Sequence, residues 1–108
     1  MTYLVLKLSD KDREIPMNTA DLIKRANGNW RMTPAKLGKT NKAVLLFRGQ
    51  VLADLDIGPN VTWHRDSNRI SLDTKLSTPQ IYKGKHLAYR TANPASIIKD
   101  DNLENYLV

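Results

Sequence analysis

Ala43-Val44-Leu45-Leu46-Phe47-Arg48-Gly49-Gln50-Val51-Leu52-Ala53-Asp54-Leu55-Asp56-Ile57 is the stretch on which the fold turns. Its first five residues are a continuous apolar run rich in branched and aromatic side chains. Val51, Ala53, Leu55 and Ile57 then alternate with Leu52, Asp54 and Asp56. Arg48-Gly49 stands between the two halves as a turn, so the segment predicts a β-hairpin. The alternation assigns Asp54 and Asp56 to the solvent side of the second strand.

Downstream, Val61-Trp63 and Ile70-Leu72 read as a second hairpin joined through Asp66-Ser67-Asn68. A further strand is expected around His86 to Tyr89, before the turn signal Asn93-Pro94, and the acidic end past Lys99 reads as a short helix or a mobile tail. Upstream, Leu4, Leu6 and Leu8 alternate with Tyr3, Val5 and Lys7, as in a strand with one buried face. Asn18 can cap a helix running to about Asn27, with Ala20, Leu22, Ile23 and Ala26 on one face and Gly28 at a left-handed stop. Trp30 to Asn41 reads as a loop with a helical turn after Pro34. One main helix with mostly antiparallel strands predicts an α+β protein whose sheet curls into a small barrel around the hairpin from Val44 to Ile57. At 108 residues the chain suits one domain, residues 1–108, with no linker and no repeat.

Hydrophobic residues at 41% and charged residues at 26% are ordinary globular values and point to neither a membrane protein nor a disordered one. The apolar stretch Tyr3-Leu4-Val5-Leu6 is too short for an export signal, and the absence of cysteine fits a reducing compartment, so the cytoplasm is the expected location. Absence of cysteine also removes disulfides, thiolate metal sites and cysteine nucleophiles.

The net charge is +6 and is unevenly spread. Between Asp21 and Asp54 lie Lys24, Arg25, Arg31, Lys36, Lys39, Lys42 and Arg48 with no acid, and residues 57–99 add Arg65, Arg69, Lys75, Lys83, Lys85, Arg90 and Lys99 against Asp66 and Asp73. A field of one sign raises the local concentration of a polyanion; the plainer reading is a solvated surface that maintains solubility.

Several residues have two physical readings. Trp30 beside Arg31 is either a stacking platform with an adjacent phosphate contact or a core plug at the helix end. Trp63-His64-Arg65 offers a second such pair, with Trp63 and Arg65 on one strand face. Lys24, Arg25, Lys36, Lys39, Lys42 and Arg48 suit phosphate contacts. Tyr82, Lys83, Lys85, Tyr89 and Arg90 interleave rings and cations, although tyrosines also pack with wet hydroxyls.

The order of Gly28-Asn29-Trp30-Arg31-Met32, Ala43 to Ile57, Tyr82-Lys83-Gly84-Lys85, Tyr89-Arg90 and Asn93-Pro94 with Ile97 and Ile98 resembles a small bacterial and phage domain found alone or joined to GIY-YIG-type nuclease domains. The resemblance covers roughly residues 20–98. It implies a nucleic-acid-associated accessory domain, similar in shape to PUA-type barrels, and the resemblance by itself implies no activity.

The expected function is therefore nucleic-acid binding without catalysis or cofactor. A protein-interaction module, such as a small phage or accessory regulator meeting an acidic partner, is the alternative. A further alternative is a magnesium-dependent nuclease. Asp56 followed by Asp73-Thr74-Lys75 loosely matches the pattern in which two carboxylates hold a hard cation and a lysine polarises water. With His64 and His86 the only histidines, no spacing supports zinc, and Gly28, Gly38, Gly49, Gly58 and Gly84 form no phosphate loop.

Overall fold

The computed structural model describes residues 2–8, 18–89 and 94–108. Its elements are β1 (Thr2–Lys7), α1 (Thr19–Asn27), α2 (Pro34–Leu37), β2 (Lys42–Phe47), β3 (Gln50–Ile57), β4 (Thr62–His64), β5 (Arg69–Ser71), β6 (Thr74–Leu76), β7 (Ala95–Lys99) and α3 (Asp100–Asn105), with a 3-10 turn at Arg65–Ser67. The protein is α+β, as its pattern predicts.

Local chemistry sets most of these boundaries. The Asn18 side chain accepts the Asp21 amide at 2.8 Å and so caps α1. Thr33 and Pro34 start α2 in the same way, with the threonine hydroxyl accepting the Lys36 amide. Arg48 (φ 50°) and Gly49 (φ 83°) both adopt positive φ, the geometry of a type I′ turn, which matches the twist of the β2–β3 hairpin. The second hairpin also forms, with Trp63 opposite Ile70.

The main sheet has the order β6-β3-β2-β1-β7. Three of its pairings are antiparallel, but β1 runs parallel to β2. That parallel pair requires a crossover, and α1 and α2 lie within it. β1 thus sits inside the sheet rather than at an edge. Among the described residues the sheet is open, with β6 and β7 as its edges, so the expected barrel is not formed.

The physical reason is that both faces of the sheet are apolar and each has its own cover. Leu4, Leu6, Ala43, Leu45, Phe47, Ala53, Leu55 and Ile57 pack under Ala26 of α1, Trp30, Leu37 of α2, Ile70 and Leu72. Tyr3, Val5, Val44, Leu46, Val51 and Ile98 pack on the opposite side against Tyr82, Leu87 and Leu103 of α3. A barrel would close around one of these faces and leave the other uncovered. The register shift between Leu45 and Leu46 sends Leu45 with Ala53 to the first face and Leu46 with Val51 to the second.

Several expectations are corrected. β1 is buried on both faces, because Tyr3 and Val5 are as enclosed as Leu4 and Leu6. Ala20 is exposed, while Leu22 and Ile23 are half-buried. Gly28 takes φ −65° and ψ 154°, so α1 stops in extended rather than left-handed backbone. The segment 86–89 contributes only isolated bridges, Gln50 to His86 and Leu87 to Leu107, because its backbone bonds are divided between the start of β3 and the chain's end at Tyr106 and Leu107. The acidic end forms α3.

Asp54 departs furthest from its reading. It is buried, and its carboxylate accepts the amides of Ile81 (2.9 Å) and Tyr82 (2.9 and 3.0 Å). Gln80 adds a second clasp, accepting the Asp54 amide and donating to the Asp54 carbonyl, each at 2.8 Å. The polar half of β3 therefore faces not water but the segment 77–82, which it holds in place.

Candidate nucleic-acid interface

The last turn of α1 carries Lys24 and Arg25, both exposed. The chain leaves the helix through Gly28 and Asn29 and reaches Trp30, whose backbone exchanges hydrogen bonds with Ile70 of β5, each at 2.9 Å. Asn29 reinforces this junction. Its carbonyl accepts Arg69 Nη1 at 3.4 Å, and its side-chain Oδ1 accepts the Ser71 hydroxyl at 2.6 Å. Ser71 Oγ also lies 2.7 Å from His64 Nε2. Since the single serine hydrogen points to Asn29, His64 Nε2 is the donor, giving a relay from His64 through Ser71 to Asn29.

One end of α1 and the β4–β5 hairpin are joined further down as well. Asn27 Oδ1 accepts both the amide and the hydroxyl of Thr74, and the Asn27 carbonyl accepts the Leu72 amide. The antiparallel bridge of Trp30 with Ile70 sets Arg31 beside Arg69, while Lys24 and Arg25 stand on the end of α1 that these bonds tie to the hairpin and Arg65 stands in the hairpin's turn. All five are exposed, and the half-buried Trp63 and His64 lie in the same hairpin. Asp66 is the acid within that hairpin, in the turn after Arg65.

Trp30 itself is the core plug of its two readings. It is 7% exposed, and its indole Nε1 donates to the Ala26 carbonyl at 2.7 Å, which closes its polar edge inside the protein. It positions Arg31 rather than offering a ring to a base. Trp63 is half-buried against the first core face. Arg65 belongs to the 3-10 turn, not to strand β4, so it does not share a strand face with Trp63.

The remaining cations fall elsewhere. Arg48, in the β2–β3 turn, lies over the Phe47 ring at 5.1 Å. The Lys85 carbonyl accepts the Val51 amide, and its ammonium lies 5.8 Å from the Tyr82 ring centre. Arg48, Lys83 and Lys85 thus form a separate group around the hairpin end. Lys36 is on α2 and Lys39 just beyond it, both exposed. Arg90 lies outside the described residues.

Lys42 is engaged by Asp56 in an ion pair, and Asp56 also accepts the Ser77 hydroxyl at 2.7 Å. The Lys42 hydrogen bond, followed by that from Ser77, holds the Asp56 carboxyl below its usual pKa. Asp56, Asp73 and Lys75 do line one cleft of about 450 Å³. Asp56 faces Lys75 across the β3–β6 pairing. Among the described residues, no group of three or more His, Cys, Asp or Glu side chains gathers as a metal-binding set.

Arg69, Asn29 and His64 were not singled out as binding residues by their sequence context. Arg69 is visible there as a hairpin cation, but the Asn29 bonds that place it beside Arg31 span 40 residues or more. The chain matches no family model, no curated protein and no solved structure.

Proposed function

We propose that this protein binds nucleic acid through the face formed by the end of α1, Arg31 and the β4–β5 hairpin. The observation that carries the reading is the pairing of Arg31 with Arg69 through the Asn29 and Trp30 bonds, with exposed Lys24 and Arg25 on the helix end and exposed Arg65 in the hairpin turn that those bonds join. Cations carried on elements that are bonded to one another can neutralise successive phosphates along one strand. Half-buried Trp63 presents part of a ring at the same hairpin, where a base can stack.

The role is that of an accessory domain, in line with the resemblance to domains joined to GIY-YIG-type nucleases. The cytoplasm is the proposed location. Among the described residues no helix is long and apolar enough to cross a membrane.

A salt titration tests the reading. Each phosphate that a cation neutralises contributes about 0.9 to the log–log slope on duplex DNA, so full use of the five cations gives a slope near −4.5. Replacing Arg65 and Arg69 together by alanine should weaken binding to all sequences alike and reduce the slope by about 2. Absence of binding to DNA and RNA at low salt would overturn the proposal. Capture of an acidic protein that survives nuclease treatment, with no such binding, would assign the face to a protein partner instead.

A further inference from the structure

We propose that a groove at the root of the β4–β5 hairpin seats one unpaired nucleotide of the strand held by the basic face. This rests on the nucleic-acid reading and adds to it a defined subsite. Two clefts, of about 450 and about 490 Å³, share Asn41, Ile57, Gly58 and Pro59 and so form one trough. Each lies in the range of about 300–1,000 Å³ usual for small-molecule sites.

The half of the trough beside α2 is apolar. Leu37 and Ile57 are buried and Val61 is half-buried. A flat, weakly hydrated base that has lost its stacking neighbours regains apolar surroundings there, as extruded bases do in enzyme pockets. The walls are polar. Asn41 is exposed and makes no side-chain hydrogen bond within the described residues, so its amide offers a donor and an acceptor together, the pair a base edge requires. Exposed Asp73 adds an acceptor suited to an exocyclic amine.

Charge is arranged to receive the flanking phosphates. Lys39 lines one cleft and Lys75 the other, and both are exposed. Asp56 adds little repulsion, because Lys42 neutralises it. The trough is also tied to the basic face: Val61 and Asp73 flank the hairpin at its two ends, and Thr74 is bonded to Asn27 at the end of α1. A strand crossing Arg65 and Arg69 therefore has the trough at the base of the same hairpin.

The test has two arms and one variant. Asn41→Trp fills the trough from an exposed position, so the core is not disturbed. In the first arm, affinity is compared between a short perfect duplex and the same duplex carrying one unpaired adenosine. The unpaired nucleotide should tighten binding by about tenfold, as expected when an extruded base gains apolar contacts and edge hydrogen bonds in a pocket. Asn41→Trp should erase that gain and leave perfect-duplex affinity unchanged.

In the second arm, backbone amide shifts are followed as free adenosine or cytidine 5′-monophosphate is added. Shifts at Asn41, Gly58 and Thr74 that vanish in Asn41→Trp support the subsite. Duplex binding with no preference for the unpaired base and no such shifts overturns the subsite and leaves the basic-face reading standing. Mononucleotide shifts at the trough without any duplex binding support the subsite for free nucleotides and overturn the basic-face reading. Shifts confined to other residues overturn the subsite.

Discussion

Replacing Asp54 by alanine should cost this protein more than any other loss of a polar side chain in β3. The carboxylate is 2% exposed and accepts two backbone amides, those of Ile81 and Tyr82. Hydrogen bonds to a charged group contribute about 1.5–3 kcal/mol each, and the orphaned Tyr82 amide is itself buried, so the gross loss is about 3–6 kcal/mol. Part of this is returned, because alanine removes the cost of burying a charge. A net loss of about 2–4 kcal/mol follows, a large share of the roughly 5–15 kcal/mol typical of whole domains. With a urea slope of about 2 kcal/mol per molar, the midpoint should fall by about 1–2 M.

Urea unfolding followed by tryptophan fluorescence gives that midpoint, and amide exchange at Ile81 and Tyr82 locates the loss. Those two amides should exchange faster in the variant, with Gln80 still bracing the segment through the Asp54 backbone. An unchanged midpoint with both amides still protected would refute the role given to the carboxylate. A lower midpoint with protection unchanged at these amides would place the energy elsewhere.

Trp30→Ala should destabilise the fold by about 3–5 kcal/mol in the same urea assay, because a buried indole is removed from beneath α1; a stable variant with impaired nucleic-acid binding would instead make the ring a ligand contact. The lowered pKa of Asp56 means the unfolded chain binds its proton more readily. The stabilisation is therefore complete well above the usual value of 3.8 and disappears as pH falls through the lowered folded value. Lys42→Met should flatten this acid limb of the stability curve relative to the parent, and an unchanged limb would count against the ion pair. Tyr82 is pushed up to about 12, first by burial and then by Tyr3 and Glu104. Its folded form holds the phenolic proton more tightly, so stability should decline as pH rises from 10 through 12. Ultraviolet titration should show Tyr82→Phe lacking a late-ionising phenol that the parent has.

Where neighbouring residues decide a conformation, the chain was readable without the structure. Asn18 caps its own helix three residues ahead, Pro34 starts a turn whose first amide it lacks, and Arg48-Gly49 supplies the two positive φ angles that close β2 onto β3. The excess of cations was equally plain, and so was the choice Trp30 offers between plug and platform. None of these needs a partner distant in sequence.

Tertiary structure alone decided what lies on the far side of each strand. The alternation in β3 signals one polar face, and in an isolated hairpin Asp54 and Asp56 would meet water. Here the segment 77–82 covers that face, so Asp54 becomes a buried acceptor and Asp56, already opposite Lys42 in the hairpin, also accepts the Ser77 hydroxyl. Likewise β1 reads as half-buried until its parallel pairing with β2 places it inside a sheet covered on both faces. The proposed binding face has the same origin, since Arg31 and Arg69 become neighbours only through Asn29 and Trp30. Periodicity reports that a side chain prefers or tolerates burial; what buries it, and which distant cation stands beside it, depends on how the elements pack.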